Sequence, residues 1–204
     1  MLIASASAGA ADASWLPTWG QAADYPRQEQ SDVREDFVQL SLGDETARLG
    51  ISELPALRKT FGIGRVRTWN RAVEPGESDH WLCYTVFDGA AKVRVWLGGT
   101  SGNGSESDNL VDYVAELLPN SATATPTCPS LPARFSALAF DHGVHLGEPA
   151  AELLTTMSPL KREGDAWIAS SAFSNHRWLV QRSWAIRVVD GRIVGVRARE
   201  MVSR

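Results

Sequence analysis

The chain has 204 residues, of which 44% are hydrophobic and 22% charged, and its formal net charge is −4. This composition is ordinary for a globular protein, and no apolar run approaches the roughly 20 residues that a membrane-spanning helix needs. Most of the chain is acidic and would repel phosphate, which argues against nucleic acid as a partner.

Residues 1–35 are predicted to be the remnant of a signal peptide followed by a tether. The first residues are small and apolar, and Ala8-Gly9-Ala10 has the pattern of a cleavage site, although no basic segment precedes it. The alternative is a disordered leader without function. The prediction implies a periplasmic or secreted protein.

Residues 36–120 are predicted to form a first lobe. Alternating apolar residues indicate a strand over 37–42. Apolar residues three and four apart predict a helix over 54–61, which Gly62 ends. The apolar spacing from Leu110 to Leu118 predicts a second, short helix. Between the two helices three strands are expected: 63–69, 81–87 and 92–97.

Residues 121–133 are predicted to be a linker between lobes, because prolines, serines and threonines dominate them. Cys128 lies in this linker, and Cys83 lies in a strand of the first lobe. An even pair of cysteines in an exported chain predicts a disulfide. Two buried free thiols are the alternative.

Residues 134–204 are predicted to be a second lobe that repeats the plan of the first. A strand over 135–140 and a helix over 149–157 precede further strands, which begin near Trp167. The last two strands form a hairpin around Asp190-Gly191, a common turn pair. The predicted inward residues of the final strand are Val194, Val196 and Ala198.

The two halves share short patterns at a constant spacing. Leu49-Gly50 and Trp81-Leu82 recur 97 residues later as Leu146-Gly147 and Trp178-Leu179. Such a repeat determines the architecture. The predicted fold is therefore α+β, with two tandem similar lobes, each a helix packed on one face of an antiparallel sheet in the order strand, helix and three strands.

A helix followed by antiparallel strands, twice over, resembles the β-lactamase inhibitory protein fold group, which also includes small outer-membrane-assembly lipoproteins. The matching features are the two Leu-Gly pairs with the leucines after them, Cys83, and the closing hairpin over 184–199. The family's Gly-Met-Thr is replaced by Gly50-Ile51-Ser52 and Gly147-Glu148-Pro149, and the strand before each helix is an addition. The resemblance implies a concave sheet face that grips another protein.

An arginine-rich end and one tryptophan are the predicted binding residues. Residues 160–204 carry 9 Lys+Arg and 4 Asp+Glu, a charge that could steer an acidic partner. The alternative is that these arginines pair with the acidic first lobe or lie singly on a solvated face. An aromatic residue beside an arginine on an open face is typical of binding hot spots. The predicted binding set is Trp96, Arg94, Arg187, Arg197 and Arg199.

The alternative for Trp96 is that its face is covered by the other lobe or by residues 1–35. If the face is open, changing Trp96 and Arg197 to Ala should abolish the capture of a partner without lowering the melting temperature.

No motif predicts a reaction. Phosphate-loop, dinucleotide and nucleophile-elbow patterns are absent from the sequence, and His142 and His145 have no cysteine nearby, so solvent-facing histidines are favoured over a metal site. We expect no catalytic residue, cofactor or metal. The predicted function is an exported, non-catalytic protein-binding module, such as an inhibitor or immunity protein acting on a hydrolase. The alternatives are a structural component of cell-envelope assembly and an enzyme that uses the two histidines.

Overall fold

The computed structural model describes residues 38–70, 78–101, 109–157, 160–174 and 178–203. The fold is mixed α+β, but strands dominate it and form two antiparallel sheets. None of the helices in these ranges is both long enough and apolar enough to cross a membrane. The predicted signal remnant and tether lie outside the described residues.

Eleven strands and two α-helices lie in the described ranges. The strands are β1 Gln39–Leu42, β2 Glu45–Arg48, β3 Arg67–Asn70, β4 Ser78–Asp88, β5 Ala91–Ser101, β6 Leu110–Leu117, β7 Leu138–Phe140, β8 Lys161–Glu163, β9 Ala166–Ser174, β10 Leu179–Val189 and β11 Arg192–Ser203. The helices are α1 Leu54–Phe61 and α2 Ala151–Thr156.

The larger sheet has eight strands in the order β3-β4-β5-β6-β11-β10-β9-β8. Each half of the chain contributes four strands that follow one another, and the halves join through the last strand of each. At this junction β6 runs antiparallel to β11, with Val114 opposite Arg197. The sheet is therefore continuous across both halves of the chain.

Both helices pack on one side of the large sheet, which we call the first face. Leu54, Leu57 and Phe61 of α1 are buried there, as their spacing predicts, and Gly62 ends the helix in the left-handed conformation at φ 69°. Leu153 and Leu154 of α2 pack against the same cluster. Because this cluster and this sheet draw on both halves, the predicted arrangement of two separate lobes is not confirmed.

The smaller sheet, in the order β2-β1-β7, completes the cover of the first face. In it β1 and β7 pair antiparallel about Ser41 and Ala139. The hydroxyl of Tyr113, on β6, donates to the carbonyl of Gln39 at 3.3 Å and so ties the two sheets together. Burial raises the pKa of Tyr113 well above its ordinary value, and the nearby Asp141 and Asp112 carboxylates add to the rise, so the hydroxyl keeps its proton.

The two Leu-Gly pairs make matched backbone contacts. The N–H of Gly50 donates to Leu110 O at 2.8 Å, and the N–H of Gly147 donates to Ile193 O at 2.7 Å. Leu110 and Ile193 lie at the beginning of the last strand of each half. Gly50 has φ +70°, and a Cβ on it would lie 2.2 Å from a carboxylate oxygen of Glu200. The backbone angle therefore favours glycine there, and a side chain would also displace the Glu200 carboxylate.

Two predictions about individual elements are wrong. Residues 110–117 form the strand β6 rather than a helix. The two Trp-Leu pairs do not occupy corresponding places, because Trp81 lies in the second strand of its half, whereas Trp178-Leu179 stands at the beginning of the third. Each half therefore has four strands after its helix, not three.

The predicted inward side of the final strand needs one change. Val196 and Ala198 belong to the cluster on the first face, but its third member on β11 is Ile193 rather than Val194. The register between β10 and β11 shifts next to Arg187, and a bulge of this kind moves one residue out of the alternation.

Part of the predicted linker closes an open edge of the sheet. Because β3 covers β4 only as far as Trp81, the backbone of Thr85 is left at the edge. Thr85 N–H donates to Pro129 O and Leu131 N–H donates to Thr85 O, each at 2.9 Å. Cys128 lies beside this contact and is bonded to Cys83, which confirms the predicted disulfide. An unpaired strand edge invites pairing with another chain, and these contacts cover it.

Candidate binding surface on the second face of the sheet

The side of the large sheet opposite the helices, here called the second face, is built by strand alternation. Val93, Val95 and Leu97 of β5 point into the first-face cluster, so Arg94 and Trp96 point the other way. The same alternation on β10 and β11 places Arg187, Arg197 and Arg199 on the second face, because Ile186, Val196 and Ala198 belong to the first-face cluster. The second face thus carries the complete predicted binding set: Arg94, Trp96, Arg187, Arg197 and Arg199.

These residues lie on a regular grid that joins the two halves. One row crosses the sheet at right angles to the strands and passes through the junction at Val114 and Arg197. Its members, in order, are Cys83, Trp96, Val114, Arg197, Ala185 and Ile168. Residues that are far apart in sequence are therefore neighbours on one surface.

A second apolar cluster fills the centre of this face. Its members are Trp81, Cys83, Trp96, Val114, Cys128, Ile168 and Ala185. Trp96 is 2% exposed and Arg197 is 3% exposed. The expectation that these two side chains stand on an open surface is therefore wrong. Their replacement by Ala would disturb packing, so it cannot serve as a stability-neutral test of binding.

Arg197 is paired with Asp112, a residue that the sequence did not identify. The Nε of Arg197 donates to Asp112 Oδ1 at 3.1 Å, and its Nη2 donates to Oδ2. The side chains are 4% and 6% exposed. Two parallel charge-assisted bonds of this kind fix the orientation of both groups. The pair joins β6 to β11, and thus one half of the chain to the other.

Most other charges on the second face also have partners. Arg187 Nε donates to Asp165 Oδ2 at 2.6 Å, and Lys161 pairs with Glu163 at 3.0 Å. Asp79 and Glu116 each make contacts as well. Arg94 and Arg199 differ from these residues: within the described ranges neither forms an ion pair, and both are half-buried.

Arg94 lies against the aromatic centre of the face. Its guanidinium carbon is 5.9 Å from the centroid of the Trp96 ring, a distance typical of a cation–π contact. Its Nε is buried and has no hydrogen-bond acceptor among the described residues, and the same is true of Trp81 Nε1. A buried donor without an acceptor carries a desolvation cost.

Gly98 allows the Trp81 ring to lie flat on β5. A Cβ on Gly98 would be 2.7 Å from the Trp81 ring, closer than any real side chain could approach. The ring therefore occupies the space of a missing side chain, in the row next to Trp96. The strands around Arg94 are therefore held together by the packing of Trp81 on Gly98 as well as by their backbone hydrogen bonds.

The segment that carries the two histidines contacts the small sheet through Asp141. Asp141 Oδ2 accepts the N–H groups of Val38 and Gln39 at 2.7 and 2.9 Å, so this carboxylate positions β1. His142 and His145 are exposed. No group of three or more metal-ligating side chains occurs in the described part of the chain.

Comparison of the chain with protein-family models, curated proteins and solved structures finds no match.

Proposed function

We propose that this chain is an exported, non-catalytic protein-binding module that holds a protein partner against the second face of its large sheet. The observation that carries the proposal is the convergence of the predicted set on that one face, where Arg94 and Arg199 lack ion-pair partners in the described ranges. Arginine and tryptophan are the residues most enriched at binding hot spots. The partner would be a hydrolase, with this chain acting as its inhibitor or immunity protein.

In this proposal the predicted residues have two different roles. Trp96 and Arg197 are buried and would hold the neighbouring side chains in position through their packing. Arg94, Arg187 and Arg199 are half-buried and would contact the partner. Export is supported by the Cys83–Cys128 bond, because disulfides persist mainly outside the cytosol.

The proposal includes an origin by duplication, with two repeats fused into one sheet. It is supported by the matched bonds of Gly50 and Gly147 and by the antiparallel pairing of β1 with β7, and of β6 with β11. Such fusion would make one wide face from two narrow ones.

A capture experiment tests the proposed function. The full chain is immobilised and exposed to the periplasmic and secreted proteins of its source. We expect one protein to be retained by the wild type and lost by the double variant Arg94→Gln/Arg199→Gln. The matched control is Arg48→Gln/Lys59→Gln, which removes two exposed charges, one on β2 and one on α1, away from the second face, and should retain the protein. Equal retention by both double variants would contradict the proposal.

A further inference from the structure

We propose that the second face recognises carboxylates, so that its partner presents an acidic segment to Arg94 and Arg199. This inference deepens the proposed function and rests on it. Of the basic side chains that point to this face, Arg197, Arg187 and Lys161 already have carboxylate partners within the chain. Lys92, which is also on this face, donates to two backbone carbonyls, those of Asn120 and Ala122. Arg94 and Arg199 form no ion pair among the described residues.

The environment of Arg94 favours an anionic ligand. Its guanidinium is held over the Trp96 ring, and its Nε has no acceptor among the described residues. A guanidinium fixed in one orientation loses little further entropy when it binds a carboxylate through two parallel hydrogen bonds. Because Nε is buried, a carboxylate from outside would be bound through the two Nη groups of Arg94.

Arg199 lies opposite an acid that is already engaged. Asp112 faces Arg199 across the β6–β11 ladder, but its two oxygens accept from Arg197. Arg199 thus stands beside a neutralised pair rather than in a pair of its own. A carboxylate from outside could bind it without breaking an existing ion pair.

The grid fixes the distance between the two arginines. Arg94 is opposite Glu116, and Glu116 is opposite Gly195, which lies four residues before Arg199 on β11. With standard strand spacing and rise, the backbone positions of Arg94 and Arg199 are roughly 17 Å apart. An extended chain covers that distance in about five residues. The geometry fits an acidic segment with carboxylates at both ends of such a stretch.

A peptide of twelve glutamates is the probe for this inference. Its extended length of about 40 Å reaches both arginines. We expect the wild-type chain to bind the fluorescein-labelled peptide, and Arg94→Gln and Arg199→Gln each to weaken binding about fivefold. Because the two sites are well separated, the double variant should bind about 25-fold more weakly. Arg48→Gln/Lys59→Gln should bind like the wild type, and every variant should retain a cooperative thermal transition.

Three results would overturn the inference: no binding of the peptide by the wild type, equal binding by the double variant, or equally tight binding of a twelve-residue thymidine strand through the same arginines. The third would assign the face to polyanions in general. The peptide assay needs no natural partner. It can therefore fail while the capture experiment succeeds, in which case the partner is held by other chemistry, and it can succeed when capture fails.

Discussion

Replacing Arg197 with methionine is expected to lower the free energy of unfolding by about 3–5 kcal/mol, because it leaves the carboxylate of Asp112 buried and unpaired. The side chain of Asp112 is only 6% exposed, so water cannot take the place of the guanidinium. Urea unfolding followed by circular dichroism measures the change.

Two further variants separate this cost from a general effect of losing an arginine. In Arg197→Met/Asp112→Leu no charge is left buried, and we expect most of the lost stability to return. Arg187→Met removes a similar pair whose members are 35% and 53% exposed, and its cost should be below about 1 kcal/mol. An equal loss in all three variants would mean that the buried pair has no special role.

Removal of the disulfide is expected to cause the second large loss. The bond joins residues 45 apart in sequence, and the chain-entropy estimate for such a loop is about 4 kcal/mol. We expect Cys83→Ala/Cys128→Ala to lose up to that amount in urea unfolding. Thr85 still bonds Pro129 and Leu131 through the backbone, so the edge of β4 should remain covered in the folded variant.

Chemical titration gives an independent check on the same bond. Unfolded and unreduced protein should show no reactive thiol, and reduction should release both cysteines. Two reactive thiols before reduction, or a double variant as stable as the wild type, would contradict a structural role for the disulfide.

The first helix and the β4–β5 hairpin could be predicted because their signals are local. The apolar spacing of Leu54, Leu57 and Phe61 and the αL position of Gly62 depend only on nearby residues. The alternation of β5 correctly placed Arg94 and Trp96 on the face opposite Val93 and its neighbours. Two cysteines also allowed only one intramolecular disulfide.

The prediction of a helix at β6 is wrong because this strand is buried on both faces. Tyr113 and Ala115 belong to the first cluster and Val114 to the second. A strand at the centre of a sheet with two covered faces lacks the polar alternation that identifies a half-exposed strand. Its apolar residues then happen to fall at helical spacing.

The burial of Trp96 and Arg197 could not be predicted because it depends on contacts between the halves. Trp96 is enclosed by a cluster that includes Ala185 and Ile168 from the second half, and Arg197 meets Asp112, 85 residues away. No local pattern in the sequence indicates such a pairing.

Photo-crosslinking in cells identifies the face that touches the partner. A photo-reactive benzoylphenylalanine is placed at Arg94 or Arg199, or at the control positions Arg48 or Lys59, and cells that produce the full chain are irradiated. We expect a covalent adduct with one exported protein from positions 94 and 199 and none from the controls. Adducts from the control positions alone, or from all four positions equally, would contradict a partner held on the second face.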